Sequence, residues 1–287
     1  MQVNPQKRRD VTGRGRQLKL KLKTSRGGLP SSLFFAGLLG CLHAAAPPLG
    51  AASDGTTGRA SISIQVRTAD DYYLGRQELA NVDKAVSLLR DAVAANPQDY
   101  ESWWRLAKFY NYWGRHAPDG EKVKLLRAGV EAGKKAVAVE PGRVEGHFWL
   151  GANYGLIAEE GGLLDGLRLV DTIRREMETV LKLDPDYEEA SGLRTLGRIY
   201  YRAPFFKGGD KHRSVQLLED CLRRFPENSL TMLYLADSYQ AVGRRQEARQ
   251  MLEKILQLCP DPEYGPELAD NQAGAREPLA KNFRAGK

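Results

Sequence analysis

The chain is short of the residues from which catalytic and metal sites are built. Of its 287 residues, three are cysteine and four histidine. Cys41, Cys221 and Cys259 form no CxxC pair, so neither a zinc framework nor a thioredoxin-like motif is present. His43, His116, His147 and His212 never fall at metal-ligand spacing, and HExxH is absent. No serine lies in a G-x-S-x-G context. Gly208-Gly209-Asp210 lacks the further glycines and the Lys-Ser/Thr of a phosphate loop, and reads as a tight turn followed by a helix cap at Asp210. Glu159, Glu160 and Asp165 read as solvated acids of a connecting segment rather than a catalytic pair. These absences argue against an enzyme, and no cofactor or metal is expected.

Basic charge is also missing where a nucleic-acid partner would need it. The net charge is +7, but residues 1–40 carry nine Lys or Arg against Asp10 alone, so the remainder is close to neutral. Nucleic-acid binding is discounted on that ground. Long apolar runs are absent too: residues 33–42 form an apolar core of about ten residues, half of the roughly 20 needed to span a bilayer.

That short core follows a basic segment and precedes Ala44-Ala45-Ala46, the layout of an export signal across residues 1–52. Leu38-Leu39-Gly40-Cys41 has the form of a bacterial lipobox, in which the Cys41 thiol takes the lipid. Two other readings stand beside it: ordinary cleavage near Ala46 or Ala52 with Cys41 removed, and a mitochondrial presequence suggested by the acid-poor stretch Gln17 to Lys23. The lipobox reading leads to the periplasm and an outer-membrane lipoprotein that meets the membrane only through its anchor. Residues 53–68, rich in Gly, Ala, Ser and Thr, read as a tether.

From residue 69 to 260 the dominant signal is internal periodicity. Four segments repeat a large residue, then Leu, a small residue, and Tyr: Trp103, Leu106, Ala107, Tyr110; His147, Leu150, Gly151, Tyr154; Leu193, Leu196, Gly197, Tyr200; and Met232, Leu235, Ala236, Tyr239. This is the first-helix pattern W-x2-L-G-x2-Y of a tetratricopeptide repeat. Large apolar residues at helical spacing make a buried stripe, and the small one admits the partner helix. Gly114 and Gly243 follow at turns. Second helices are visible ahead of Pro97, Pro141, Pro185, Pro226 and Pro260, each proline just past a helix that it cannot continue. His147, Cys221 and Cys259 read as core residues, the two cysteines too far apart to pair.

The proline spacings are 44, 44, 41 and 34 residues. Only the last is the standard repeat length, so the first three repeats carry extra residues, expected as loops around 115–121, 159–165 and 203–210. The predicted fold is all-α: a tetratricopeptide-type helical-repeat solenoid with inter-helix loop insertions, opened by a divergent helix near 69–80 and closed by a capping segment over 261–287.

Two stretches carry a narrower resemblance. Gly146-His147-Phe148-Trp149-Leu150-Gly151-Ala152-Asn153, and Leu193 to Pro204 followed by Lys207-Gly208-Gly209-Asp210-Lys211, resemble the T-component proteins associated with TRAP transporters. The same stretch also resembles eukaryotic regulators of microtubule dynamics; the export signal favours the bacterial family. The T-component resemblance implies a periplasmic accessory protein that partners a solute-binding protein, handles small organic acids or other ligands, and forms homo-oligomers. The alternative is a protein–protein scaffold of the cell envelope with no small ligand.

Stacked repeats present their first helices on a concave face. Residues flanking the buried stripes are Trp104, Lys108 and Tyr112, then Phe148 and Ala152, then Arg194, Arg198 and Tyr201, then Asp237. Cations among aromatics suit an organic anion or an acidic peptide. The competing reading makes them solvated charges and packing rings.

Overall fold

A computed structural model describes residues 63–261 and 264–283. The export segment with Cys41, and the tether up to residue 62, lie outside the described residues. So do 262–263 and 284–287 of the expected cap.

Eleven α-helices and no strand occur among the described residues: α1 (Ile64–Leu74), α2 (Leu79–Ala95), α3 (Tyr100–His116), α4 (Asp119–Val139), α5 (Val144–Glu160), α6 (Gly162–Leu183), α7 (Tyr187–Arg202), α8 (Lys211–Arg224), α9 (Ser229–Ala241), α10 (Arg245–Gln257) and α11 (Gly265–Asn282). Helix α1 begins inside the expected tether, its first turn capped by the Ser63 hydroxyl, which accepts from the Val66 N–H. Consecutive helices pack on one another, and α3, α5, α7 and α9 also touch in that order. That second row of contacts turns a string of hairpins into a solenoid.

Local chemistry sets the helix starts. Asp99, Asp210 and Asn228 each accept from backbone N–H groups of the turn that follows, filling donors that a helix leaves open. The stripe residues are buried as their spacing requires: Leu106, Leu235 and Met232 are almost wholly enclosed, each burial contributing about 2 kcal/mol. Gly151 shows why the stripe needs a small residue. A methyl group there would lie 2.4 Å from Met177 Cε on α6.

Several expectations are revised. The extra residues at 115–121 and 159–165 are not loops. They lengthen α4 and α6 to 21 and 22 residues, leaving breaks of one or two residues before them. Only 203–210 forms a true inserted loop, around a 3-10 turn at Phe205–Lys207. Gly114 sits inside α3 rather than at a turn, where a Cβ would meet Leu126 at 2.7 Å, whereas Gly243 does turn, at φ +83°. Cys221 is buried and free, but Cys259 is exposed and is no core residue.

The start of α7 is kinked. Glu188, Glu189 and Ala190 adopt left-handed angles (φ 47°, 56° and 56°), a conformation that costs a non-glycine residue about 1 kcal/mol or more. The carbonyls freed there are met from two sides. Arg194 donates to Glu189 O at 3.0 Å and Glu188 O at 3.2 Å; the Cys221 thiol lies 3.6 Å from Glu189 O and 3.7 Å from Ala190 O.

Candidate binding cavity

The inner faces of α1, α3, α5, α6 and α7 surround a cavity of about 920 Å³. Trp104, Lys108, Tyr112, Phe148, Ala152, Arg194 and Arg198 all line it. Tyr201 and Asp237 are not on its wall. Tyr201 packs beside the Arg198 guanidinium, 5.3 Å from its ring centre, and Asp237 accepts from Arg198 at 2.7 Å.

Aromatic rings make much of the lining. Tyr73 stacks on Phe109 with centroids 4.0 Å apart and meets Tyr112 edge-on. Phe148 meets Trp149 at 4.8 Å. Helical spacing puts them there: Trp104, Lys108 and Tyr112 recur every four residues on α3, and Phe148 and Ala152 do the same on α5.

The cations of the expected groove, and Arg105 beside them, are already engaged. Lys108 Nζ lies 3.6 Å from Glu188 and over the rings of Tyr73 and Trp149. Arg105 grips both Asp70 oxygens and Glu101 while lying over Trp104. Burial opposes charging of Glu101, but the bonds from Arg143, Arg105 and Trp104 outweigh it and bring its carboxyl down to about 2. Arg198 sits over Tyr234 at 4.4 Å and bridges Asp237 to Glu159. Arg194, buried against backbone carbonyls, is neither a solvated charge nor a bare anion receptor. The wall is therefore balanced in charge and rich in rings, rather than basic.

The fourth side is closed by the C-terminal helix, which no repeat signal marks. Glu267 on α11 accepts a two-pronged bond from Arg76, one prong at 2.9 Å, across 191 residues of sequence. Tyr264 donates to Glu188 at 3.3 Å. His116 lies between two acceptors, Asp270 at 2.8 Å and the Tyr112 carbonyl at 2.8 Å. Only the imidazolium can donate to both. Burial alone would lower the pKa of His116; the bonds to Asp270 and to the Tyr112 carbonyl reverse that and raise it.

His147 has the same arrangement outside the cavity, with Glu176 at 2.7 Å and the Pro141 carbonyl at 2.9 Å. It is a polar cross-link between helices, more than a packing residue. Its pKa is raised, first by the bond to Glu176.

Sequence reasoning missed Arg76, Trp149, Glu188 and Glu267. Trp149 was within reach, adjoining Phe148 on the same helix. Arg76 and Glu267 lie in segments without the repeat pattern.

Comparison with known proteins agrees with this geometry. The family described as regulator of microtubule dynamics protein 1-3 matches residues 65–203, and a tetratricopeptide repeat family matches residues 207–265. No curated protein matches significantly. The crystal structure of TTC0263, a thermophilic TPR protein in Thermus thermophilus, is similar over 75% of this chain and 97% of that one, with a TM-score of 0.55 and 22% identity. PilW, a type IV pilus biogenesis factor, is similar over 78% of this chain and 94% of its own, with a TM-score of 0.51 and 17% identity. The chain thus has the fold of a tetratricopeptide-type helical-repeat solenoid.

Proposed function

We propose that this chain is a non-catalytic adapter whose concave cavity receives a segment of a protein partner. The observation that carries the reading is the convergence of seven separately predicted residues, from α3, α5 and α7, on one cavity. Its rings offer apolar area at low entropic cost, and its paired charges offer hydrogen bonds without a net field. A partner segment suited to it presents one or two large apolar side chains flanked by polar groups. The match of residues 65–203 to a family named for regulating microtubules, which are protein assemblies, is in keeping with a protein partner.

A second reading has an observation of its own. A volume of about 920 Å³ lies within the usual span of small-ligand pockets, roughly 300–1,000 Å³. In that reading the chain is the exported accessory of a TRAP-type solute transport system, lipid-anchored at Cys41, partnering a periplasmic solute-binding protein and holding a small organic anion. The engaged state of Lys108, Arg194 and Arg198 weighs against an anion, since it would have to displace Glu188 or Glu159 from its cation.

Photo-crosslinking separates the two. Benzoylphenylalanine at Ala152, on the cavity wall, is compared with the same group at Ala94 on the outer side, in the full chain expressed in cells. A discrete protein adduct at position 152 alone, lost when Trp149→Ala is added, supports the adapter. Native mass spectrometry showing a small acid bound one to one, with no protein adduct at either position, would replace it with the ligand reading.

A further inference from the structure

The loop between α7 and α8 does something that the cavity does not explain. It holds two consecutive phenylalanines in water: Phe205 is 92% exposed and Phe206 75%. Single exposed apolar residues are ordinary on protein surfaces. Two adjacent rings on a fixed projection form a patch.

The projection is fixed by bonds from three directions. Within the turn, Lys207 N–H donates to Pro204 O at 2.9 Å and Gly209 N–H to Pro204 O at 3.0 Å. Behind it, Asp210 N–H donates to Tyr200 O at 2.9 Å. From α6, Arg174 donates to Lys207 O at 3.0 Å, and Lys207 Nζ reaches Asp171 at 3.0 Å. Two glycines make the path feasible. Gly208 is left-handed at φ +80°, and a Cβ on Gly209 would lie 1.9 Å from Ala203 O. These bonds hold the loop in a conformation that leaves both rings in water.

Charge in the loop is mostly basic. Residues 202–213 contain Arg202, Lys207, Lys211 and Arg213 against Asp210, whose side chain caps α8; Lys207 is paired with Asp171, which leaves Arg202, Lys211 and Arg213 in excess. Apolar rings on a rigid tip beside the cavity rim, outside its lining and next to basic residues, match a surface that is soft, apolar a few ångströms down and negatively charged on top.

We propose that Phe205 and Phe206 insert into the interface of an anionic phospholipid membrane, with Arg202, Lys211 and Arg213 on the headgroups. This contact is separate from any N-terminal anchor and orients the solenoid on the bilayer. It holds whichever reading of the cavity is correct.

The test places a reporter at the tip of the full chain. Phe206→Trp adds one indole to the four at 103, 104, 113 and 149, whose signal is subtracted using the unsubstituted chain. With vesicles of phosphatidylglycerol and phosphatidylcholine carrying bromines on the acyl chains, the added indole is expected to shift to the blue and to be quenched about twofold. Pure phosphatidylcholine should have little effect, and Lys211→Glu with Arg213→Glu should remove the quenching, because each basic residue near the surface contributes to attraction. Neither of those side chains makes the bonds that hold the turn. Circular dichroism checks each variant, and Phe205→Trp serves if Phe206→Trp does not fold. An added indole that stays unquenched on anionic vesicles to which the chain is bound overturns the proposal. That outcome would mean that the N-terminal segment alone does the binding and that the rings face a protein.

Discussion

The two halves of the solenoid solve the same packing problem with different amounts of helix. In α3 to α6 the helices run 17, 21, 17 and 22 residues, whereas α8, α9 and α10 run 14, 13 and 13. The longer half holds all four tryptophans and the polar bonds of Asn153 to the Ala107 and Trp149 carbonyls. The shorter half is a plain repeat on the core of Leu218, Met232, Leu235 and Leu252. The family matches divide near the same point, one ending at residue 203 and the other starting at 207. Extra residues in a repeat need not hang outside the stack. Absorbed into α6, they extend a wall of the cavity.

The strongest way to break this comparison is to open a void in each half. Phe109 is fully buried and stacked on Tyr73, so Phe109→Ala should cost about 3–5 kcal/mol. Leu235→Ala in the plain repeat should cost about 2–5 kcal/mol. Because every tryptophan lies in the longer half, denaturation followed by indole fluorescence reports on it alone, while circular dichroism reports on both. Phe109→Ala should lower the fluorescence midpoint more than the dichroism midpoint, and Leu235→Ala the reverse. Coincident midpoints in both variants would show that the halves unfold as one.

A smaller effect tests the junction. Arg194→Ala strands the carbonyls of the kinked α7 start and should destabilise by about 1–3 kcal/mol, the cost of buried unsatisfied groups. Arg198→Ala, in a partly exposed pair, should cost less in urea melts. Equal losses would mean that the kink does not depend on Arg194.

The smallest effect is a pH dependence at His147 in the longer half. The raised pKa of His147 means that its link to Glu176 stabilises fully below the unfolded value near 6.5 and is lost as pH rises through the folded value. The gap in Tm between the unsubstituted chain and His147→Gln should therefore be wider at pH 6 than at pH 8.5. A gap independent of pH would rule out the charged link. His116 obeys the same sign through Asp270, with a weaker effect because Asp270 is half exposed.

How much of this could be read beforehand follows from what leaves a periodic trace. The stripe Trp103, Leu106, Ala107, Tyr110 and its three copies were legible because helical burial imposes a spacing. The groove residues on α3, α5 and α7 were legible as the neighbours of those stripes. The repeat spacing placed a loop around 115–121. In the structure Pro118 instead precedes the first turn of α4, in which Asp119 and Glu121 favour the positive helix end. Arg194 lines the cavity as its spacing expects, but spacing gives the face of a helix and not the carbonyls that a kink exposes, to which its guanidinium donates. The pairing of Arg76 with Glu267 leaves no local trace, since neither residue constrains its own neighbours.

That pairing also changes what the molecule is mechanically. A helical-repeat array is ordinarily a spring, each unit bound only to the next and the whole extensible at little cost. Here a guanidinium on the second residue past α1 holds a carboxylate on the last helix, so the spring is fastened across its own mouth. Pulled from its two ends, the chain would resist at the clasp before any repeat came apart, and a partner that must enter the cavity would first work against that fastening.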